Sequence, residues 1–285
     1  APVRVGDRLH WDILRLYHEM KQALLKAKHR GIQLQSLGID SWAVDFGLIG
    51  PDGELLGNPY HYRDARNEPA MARVLREIPA EEIFRRTGIQ FLPFNTIFQL
   101  AALKHADSPA LREAQRMLMI PDLLRYFLTG ETAHEFTNAT TTQLFNPALG
   151  GWDVDLIRRL GLPETLFGRV LQPGSAAGIV RPSVCEELGI DPVPVVAVAE
   201  HDTGSAVAAV PAESDSFAYL SCGTWSLLGT EMPKPVLTEE ARELNFTNEG
   251  GVFGTYRLLK NIMGLWILEE CRRTWKREGR EVSHA

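Results

Sequence analysis

An unbroken apolar run, Val193-Pro194-Val195-Val196-Ala197-Val198-Ala199, leads directly into Glu200-His201-Asp202. Small and β-branched residues without polar alternation are typical of a strand that is buried on both faces of a sheet. In α/β proteins, ligands collect at the carboxyl ends of such strands. The run therefore predicts an α/β fold in which Glu200, His201 and Asp202 lie at the functional edge of a sheet.

The sequence before this run predicts a mixture of helices and strands. An amphipathic helix is predicted over residues 9–29, because apolar residues recur there at helical spacing. A short strand is predicted over residues 34–39, and a hairpin around the turn Gly50-Pro51-Asp52-Gly53. The region 69–129 is mostly helical in pattern. After the run, the small apolar residues 204–210 predict a closely packed helix.

A polar, proline-containing segment, residues 211–216, is interpreted as a hinge or domain boundary. Beyond it, the strand-like segments 217–220 and 225–230 bracket Ser221-Cys222-Gly223-Thr224. Such a small-residue turn lets backbone amides approach a phosphate, and the Thr224 hydroxyl adds a donor. An ordinary hairpin is the competing interpretation, since the P-loop pattern GxxxxGKS/T is absent. A last helix is predicted over residues 261–276.

Two interpretations of Asp202 are open on local sequence. Between a buried strand and a helix, its carboxylate is near backbone N–H groups and the positive helix end, where it is expected to be ionised and able to accept a proton. The alternative is that Asp202 only caps the helix. A second polar cluster, residues 38–47, carries Trp42 and Asp45. These side chains could contact a sugar, or Trp42 could belong to the core and Asp45 to a turn.

Composition narrows the class of protein. The chain has 285 residues, 45% hydrophobic and 23% charged, which is ordinary for a globular protein. The net charge of -6 argues against a nucleic-acid partner without excluding an anionic nucleotide. No run approaches the roughly 20 apolar residues that a membrane span needs. Three widely spaced cysteines predict neither a zinc site nor a disulfide framework, and they fit a cytoplasmic protein.

Longer motifs are distributed along essentially the whole chain. They are residues 39–46 (IDSWAVDF), 62–64 (YRD), 87–96 (TGIQFLPFNT), 136–143 (FTNATTTQ), 200–203 (EHDT), 248–251 (NEGG), 256–257 (YR) and 259–266 (LKNIMGLW). Together these motifs resemble the FGGY carbohydrate kinases, and within them the branch that phosphorylates L-rhamnulose. The resemblance implies an α/β fold of the ribonuclease-H-like, actin-like kind. It implies a sugar-binding domain over residues 1–212 and the beginning of a nucleotide-binding domain over residues 213–285.

The resemblance also implies an activity, the transfer of the ATP γ-phosphoryl group to a ketose hydroxyl, with L-rhamnulose as the expected sugar. It implies that Asp202 is the catalytic base. The residues implied to contact the sugar are Ala43, His201, Thr203 and Asn261. On the nucleotide side, Thr224 is implied to contact phosphate and Glu269 to contact the nucleotide. Mg²⁺ is expected to accompany ATP, and no residue is assigned as a direct metal ligand.

Some alternatives remain open at this level. Trp42, Asp45, Arg63 and Gln90 are further pocket candidates, for which structural packing or a buried salt bridge is an equal alternative. The first phosphate-binding hairpin and the glycine-rich adenosine motif of these kinases have no counterpart, so the chain is expected to be part of a longer enzyme. A sugar-binding module without catalysis, or a kinase for L-fuculose, L-ribulose or D-xylulose, would also fit. Sugar and ATP are the expected partners, with no membrane or nucleic acid, and the oligomeric state is not predicted.

Overall fold

The computed structural model describes residues 2–223, 225–280 and 282–283. Its strands are β1 (Val3–Val5), β2 (Arg8–His10), β3 (Phe46–Ile49), β4 (Arg116–Met119), β5 (His134–Glu135), β6 (Phe145–Asn146), β7 (Gly151–Trp152), β8 (Val170–Leu171), β9 (Ala176–Ile179), β10 (Pro194–Val196), β11 (Tyr219–Cys222), β12 (Trp225–Met232), β13 (Thr247–Gly250) and β14 (Tyr256–Met263). Its helices are α1 (Ile13–His29), α2 (Asn67–Glu77), α3 (Ala80–Thr87), α4 (Thr96–His105), α5 (Pro109–Glu113), α6 (Ile120–Thr129), α7 (Phe136–Thr141), α8 (Val154–Arg159), α9 (Pro182–Leu188), α10 (Asp202–Ala208), α11 (Glu239–Glu243) and α12 (Trp266–Arg277).

The largest sheet formed by these residues is antiparallel and has the strand order β11-β12-β14-β13. The remaining strands pair in twos, as β1-β2, β3-β4, β5-β8, β6-β7 and β9-β10. Tyr219, Leu227 and Leu259 of the large sheet pack against Val207 of α10. This contact joins the sheet to the helix that follows the apolar run.

The predicted strand at 193–199 is present but shorter, because β10 covers only Pro194–Val196. Burial alternates along the run: Pro194 is exposed, whereas the buried positions are Val193, Val195, Ala197 and Ala199. The prediction that both faces are buried is therefore wrong. One face packs into a core with α1 and α9. The other is only partly covered, by a loop in which a Cβ on Gly38 would lie 2.5 Å from Val198 Cγ1.

The first helix and the strand after it differ from the sequence prediction. The helix predicted from residue 9 begins at Ile13, because Arg8–His10 pair with β1 instead. The strand predicted over 34–39 is reduced to one bridge between Leu37 and Val195. The mostly helical region 69–129 is interrupted by β4, which pairs with β3.

The last helix also differs, because it begins at Trp266 rather than at residue 261. β14 continues to Met263, so Asn261 lies on a strand opposite Leu227. The chain turns at Gly264, where a Cβ would lie 2.6 Å from the Ser226 nitrogen. A side chain at position 264, between the strand and the helix, would therefore collide with β12.

The connection between α10 and the large sheet is solvent-exposed. All six residues of the segment 211–216 are exposed. By contrast, α4 is buried at Thr96–Leu103 and forms the centre of the main apolar core with α2, β3 and β4. Within the described part of the chain, no helix combines the length and apolar character needed to cross a membrane.

Candidate active site

A cavity of about 430 Å³ opens between the end of the apolar run and the β11-β12-β14-β13 sheet. Its wall combines apolar and aromatic side chains with a few polar groups, as is typical of a small-molecule site. Aromatic faces come from Trp42, Tyr62, Phe94 and Trp225, and the polar groups include Gln90, His201, Asp202, Thr203, Glu249 and Asn261. The cavity therefore offers both stacking surfaces and hydrogen-bonding groups.

Asp202 is the first residue of α10, and the N-cap position is occupied by His201. The Asp202 N–H donates to the Ser41 carbonyl (2.9 Å), and the Ser41 N–H donates to the Glu200 carbonyl (3.0 Å). The Asp202 side chain is 55% exposed, and its Oδ1 accepts from the Thr203 N–H at 2.7 Å. Asp202 follows the N-cap residue, and although its carboxylate binds an N–H group of the first helical turn, the side chain is open to the cavity.

The His201 ring contacts different groups through its two nitrogens. Nε2 lies 3.6 Å from Asp202 Oδ1. Nδ1 lies 3.0 Å from Arg257 Nη2 and 3.3 Å from Glu249 Oε2. The backbone N–H of His201 donates to Thr137 Oγ1 at 3.1 Å. His201 therefore connects the cavity to a buried charged pair on the large sheet.

Glu249 and Arg257 face each other across β13 and β14. Arg257 is fully buried, its Nη2 lies 3.2 Å from Glu249 Oε2, and its Nε donates to the Gly250 carbonyl at 2.9 Å. Burial by itself raises the pKa of Glu249, and the charge of the Arg257 guanidinium lowers it. Both residues belong to the sequence motifs 248–251 and 256–257, for which no role in the site was predicted. The available signal was a pair of opposite charges in neighbouring strands, which are costly to bury unless paired.

Asn261 contacts the opposite wall of the cavity. Its Nδ2 donates to Gln90 Oε1 at 3.0 Å. Gln90 is almost completely buried and belongs to the 87–96 motif. The hydrogen bond therefore joins β14 to a loop on the other side of the cavity and fixes two amides in the cavity wall.

The backbone at Val44, next to Ala43, is strained. Val44 has φ of 69°, a left-handed conformation that is costly for a β-branched residue. The Asp45 N–H donates to the Ala43 carbonyl at 2.9 Å, while Thr96 Oγ1 and Gln99 Nε2 hold the Val44 carbonyl at 2.8 and 3.1 Å. Both Ala43 and Val44 line the cavity, in keeping with the tendency of strained residues to occur at functional sites.

Asp45 lies behind this wall and is completely buried. Its Oδ2 accepts from Trp11 Nε1 (2.5 Å), Trp42 Nε1 (3.0 Å) and the Tyr62 N–H (3.2 Å). Burial raises the pKa of Asp45 to about 6, although these donors act in the opposite direction. Asp45 thus orients Trp42, which lines the cavity, and it is not itself a lining residue.

Arg63, another pocket candidate, is exposed. Its guanidinium lies 5.3 Å from the Tyr62 ring centre and 5.7 Å from that of Trp266. It is not among the residues that line the cavity. Arg63 therefore packs at the rim, between the Tyr62 loop and α12.

A buried network lies behind the strand end, on the side away from the cavity. Arg125 Nε donates to Glu200 Oε1 at 2.8 Å and its Nη2 donates to Asp122 Oδ1 at 2.7 Å. Glu135 accepts from the Glu200 N–H (3.2 Å) and from Thr137 Oγ1 (2.6 Å). Burial raises the pKa of Glu135 to about 7, and burial together with Asp122 raises the pKa of Glu200 well above its usual range. This network anchors the segment that carries His201 and Asp202.

The predicted site residues fall into three groups. Those brought together at the cavity are Ala43, His201, Asp202, Thr203 and Asn261. Glu269 lies on α12, where it contacts Arg272 at 3.0 Å, and it does not line the cavity. Thr224 lies outside the described residues.

Among the residues that the structure describes, no group of three or more His, Cys, Asp or Glu side chains could hold a metal ion. Two carboxylates line the cavity, those of Asp202 and Glu249, and Asp202 is the more exposed, at 55% against 9%. Carboxylate oxygens suit Mg²⁺, which usually keeps several waters and takes further ligands from substrate phosphates. The site therefore fits a magnesium ion that arrives with a nucleotide, not one held by the protein alone.

Comparison with known proteins gives consistent matches. The profile of the FGGY family of carbohydrate kinases, N-terminal domain, matches residues 6–209, and that of the C-terminal domain matches residues 218–285. A rhamnulokinase of Bacteroides thetaiotaomicron is 48% identical over 273 residues, which are 96% of this chain and 56% of the relative. A rhamnulokinase of Oceanobacillus iheyensis is 47% identical over 268 residues, covering 94% of this chain and 57% of the relative. The chain thus spans about half the length of the curated relatives it matches.

Solved structures show the same fold. The ligand-bound xylulose kinase of Lactobacillus acidophilus superimposes with a TM-score of 0.85 at 19% identity, covering 96% of this chain and 56% of that one. The gluconate kinase of the same organism gives a TM-score of 0.84 at 19% identity, covering 95% and 55%. The predicted α/β fold of the ribonuclease-H-like, actin-like kind is confirmed by these neighbours. With profile matches along residues 6–209 and 218–285, the chain belongs to the FGGY family of carbohydrate kinases.

Proposed function

We propose that this chain is part of an ATP-dependent kinase that phosphorylates L-rhamnulose to L-rhamnulose 1-phosphate. The observation that carries the proposal is the half-exposed Asp202 carboxylate in a cavity with aromatic walls and polar groups. The relatives in this branch of the family are named rhamnulokinases. Residues 1–212 would form the sugar-binding domain and residues 213–285 the beginning of the nucleotide-binding domain, which meet at the exposed segment 211–216.

Within this proposal Asp202 is the general base. Phosphoryl transfer depends mainly on positioning and charge stabilisation, and the attacking hydroxyl must lose a proton. The Asp202 carboxylate is accessible from the cavity and held at the N-terminus of α10, so it can accept that proton. Ala43, His201, Thr203 and Asn261 would hold the remaining polar groups of the ketose, Ala43 through its backbone atoms. Aromatic faces such as that of Trp42 would cover the apolar side of the sugar.

ATP and Mg²⁺ are the cofactors of this proposal. Thr224 would contact phosphate, and Glu269 would lie on the nucleotide side. When bound, Mg²⁺ would neutralise charge on the phosphate oxygens. Asp202 is the residue that could reach the ion through water. We also propose a cytoplasmic location, because Cys185, Cys222 and Cys271 are free thiols of the kind that a reducing compartment preserves.

Two other functions are compatible with the fold and the cavity. A kinase for L-fuculose, L-ribulose or D-xylulose would use the same base, and the fold of a xylulose kinase is similar. A sugar-binding protein without catalysis would retain the cavity but transfer no phosphate. Neither has an observation in its favour that the rhamnulokinase proposal lacks.

A substrate panel tests the proposal. The full-length protein is incubated with ATP, Mg²⁺ and each of L-rhamnulose, L-fuculose, L-ribulose and D-xylulose, and ADP release is followed. The expected result is the highest kcat/KM for L-rhamnulose, by about tenfold or more, because hydrogen-bonding sites discriminate strongly between hydroxyl arrangements. A higher kcat/KM for another ketose would reassign the sugar. Calorimetric binding of L-rhamnulose without ADP release would indicate the non-catalytic function.

A further inference from the structure

His201 is held by two charged groups on the large sheet, Arg257 behind the cavity and Glu249 at its wall, and this arrangement constrains its protons. Nδ1 is 3.0 Å from Arg257 Nη2 and 3.3 Å from Glu249 Oε2. Arg257 is fully buried, and Glu249 and His201 are nearly so. When a buried imidazole has two charged neighbours at one nitrogen, few placements of its hydrogens give each polar group a hydrogen-bond partner.

The two neighbours make opposite demands on Nδ1, because a carboxylate can only accept a hydrogen bond and a guanidinium can only donate one. The geometry favours the guanidinium: Arg257 Nη2 lies in hydrogen-bonding position at Nδ1, whereas Glu249 Oε2 has no hydrogen-bond partner among the described residues. A guanidinium has only donors and does not lose its proton in proteins. If Nδ1 carried a hydrogen, two N–H groups would face each other across the 3.0 Å that separates Nδ1 from Arg257 Nη2. If Nδ1 is bare, it accepts from Arg257, and the hydrogen of the neutral ring is on Nε2. The carboxylate of Glu249, 3.2 Å from Arg257 Nη2, then balances the charge of that arginine.

The other face of the ring looks toward the base. Nε2 is 3.6 Å from Asp202 Oδ1, too far for a hydrogen bond but close enough for one ligand oxygen to contact both atoms. An Nε2–H donor beside an accepting carboxylate fixes the direction of the hydrogen bonds of that ligand hydroxyl. Its oxygen accepts from His201, and its hydrogen is directed to Asp202.

We propose that Arg257 and Glu249 are positioning residues, which hold His201 in the neutral Nε2–H tautomer so that the hydroxyl bound between His201 and Asp202 can give its proton only to Asp202. This inference rests on the proposed function and deepens it. The proton moves from the hydroxyl oxygen to the Asp202 carboxylate, while His201 keeps its own proton throughout.

The pair is well fixed for this role. The two residues lie opposite each other in the pairing of β13 with β14. Gly250, next to Glu249, donates its N–H to Thr140 Oγ1 at 2.8 Å, and a Cβ there would lie 2.7 Å from the Phe136 ring. The large sheet therefore approaches α7 closely, which keeps the Arg257 guanidinium at Nδ1 of His201.

Nitrogen-15 NMR of histidine-labelled full-length protein tests the tautomer directly, with His201→Asn used to assign the signals. The expected wild-type result is a protonated Nε2 and a bare Nδ1 at neutral pH. In Arg257→Met the remaining neighbour of Nδ1 is the Glu249 carboxylate, so Nδ1 is expected to become protonated. Turnover of Arg257→Met should fall at least about tenfold, since an imidazole in the wrong tautomer can cost up to about 10⁴-fold, while KM for ATP stays unchanged.

Rescue separates positioning from general stability. Arg257→Lys keeps a charged donor and is expected to restore part of the turnover. The double variant Arg257→Met with Glu249→Gln carries no buried charge and offers an amide donor to Nδ1, so it should recover the Nε2–H signal even if Arg257→Met does not fold. Arg86→Met, which breaks a distant pair with Asp153, serves as the control and should leave the His201 signal unchanged.

Each outcome has a definite meaning. A protonated Nδ1 in the wild-type protein, or an unchanged tautomer in folded Arg257→Met, would overturn the inference. Failure of the double variant to recover the Nε2–H signal would also count against it. A wild-type spectrum with Nε2–H, combined with no activity on any ketose, would support the tautomer assignment and contradict the proposed function instead.

Discussion

Glu200 and Asp202 are separated by one residue in the chain, yet their side chains lie in opposite environments. Glu200 is fully buried and paired with Arg125 at 2.8 Å, whereas Asp202 is 55% exposed at the edge of a cavity. His201 lies between them and contacts the large sheet. The difference shows how one short motif serves two purposes. Its buried acid holds the strand end in place, and its open acid faces the cavity.

The buried ion pairs around Glu200 should control the stability of the fold. Arg125→Met is expected to lower the free energy of unfolding by about 3–5 kcal/mol, because Glu200 and Asp122 would stay buried without their cation. Urea unfolding of the full-length protein measures the loss. Arg158→Met removes an exposed ion pair with Glu164 and should leave the midpoint unchanged. If Arg125→Met behaved like this control, the structural role of the buried network would be wrong.

The same network should make stability depend on pH. The pKa of Glu135 is raised from 4.5 to about 7 by burial, so its contribution to stability is fully present below pH 4.5 and is lost as pH rises through about 7. The free energy of unfolding should fall by roughly 3 kcal/mol across this window. In Glu135→Gln, the decrease in the free energy of unfolding with pH that is due to Glu135 should vanish.

Unfolding curves at several pH values between about 5 and 8 provide the comparison for Glu135. Glu213→Gln, in the exposed segment 211–216, is the matched control and should retain the wild-type slope. A Glu135→Gln protein with the wild-type slope would show that another group titrates in this range.

The residues in the cavity wall should control sugar binding, and their replacement should have little effect on stability. Asn261→Ala removes the 3.0 Å hydrogen bond to Gln90 and one proposed sugar contact. KM for the sugar is expected to rise about 3- to 10-fold with a smaller change in kcat, because a neutral hydrogen bond contributes about 0.5–1.5 kcal/mol. Lys260→Ala, on the same strand but facing the other side of the sheet, should leave KM unchanged. Equal effects of the two variants would remove Asn261 from the site.

Sequence was sufficient for the parts of the site that follow local rules. The apolar run predicted a strand, and of the polar residues after it His201 and Asp202 line a cavity, whereas Glu200 is buried behind it. Sequence was insufficient where strand pairing decides which side chains contact each other. The contact of His201 with Glu249 and Arg257 depends on the register of β13 with β14, and that register is set by tertiary packing. Asn261 was expected on a helix for a similar reason, because helical spacing in 261–276 did not reveal that β14 pairs with β12 as far as Met263.

The central claim is that Asp202 is the base, and one measurement tests it most directly. Steady-state turnover of full-length Asp202→Asn is compared with that of the wild type, with sugar binding followed by calorimetry. The expected result is a fall in kcat of about 10²–10⁴-fold with sugar affinity nearly unchanged, because the amide keeps the shape of the side chain but cannot take a proton. Near-wild-type turnover in this variant would contradict the account.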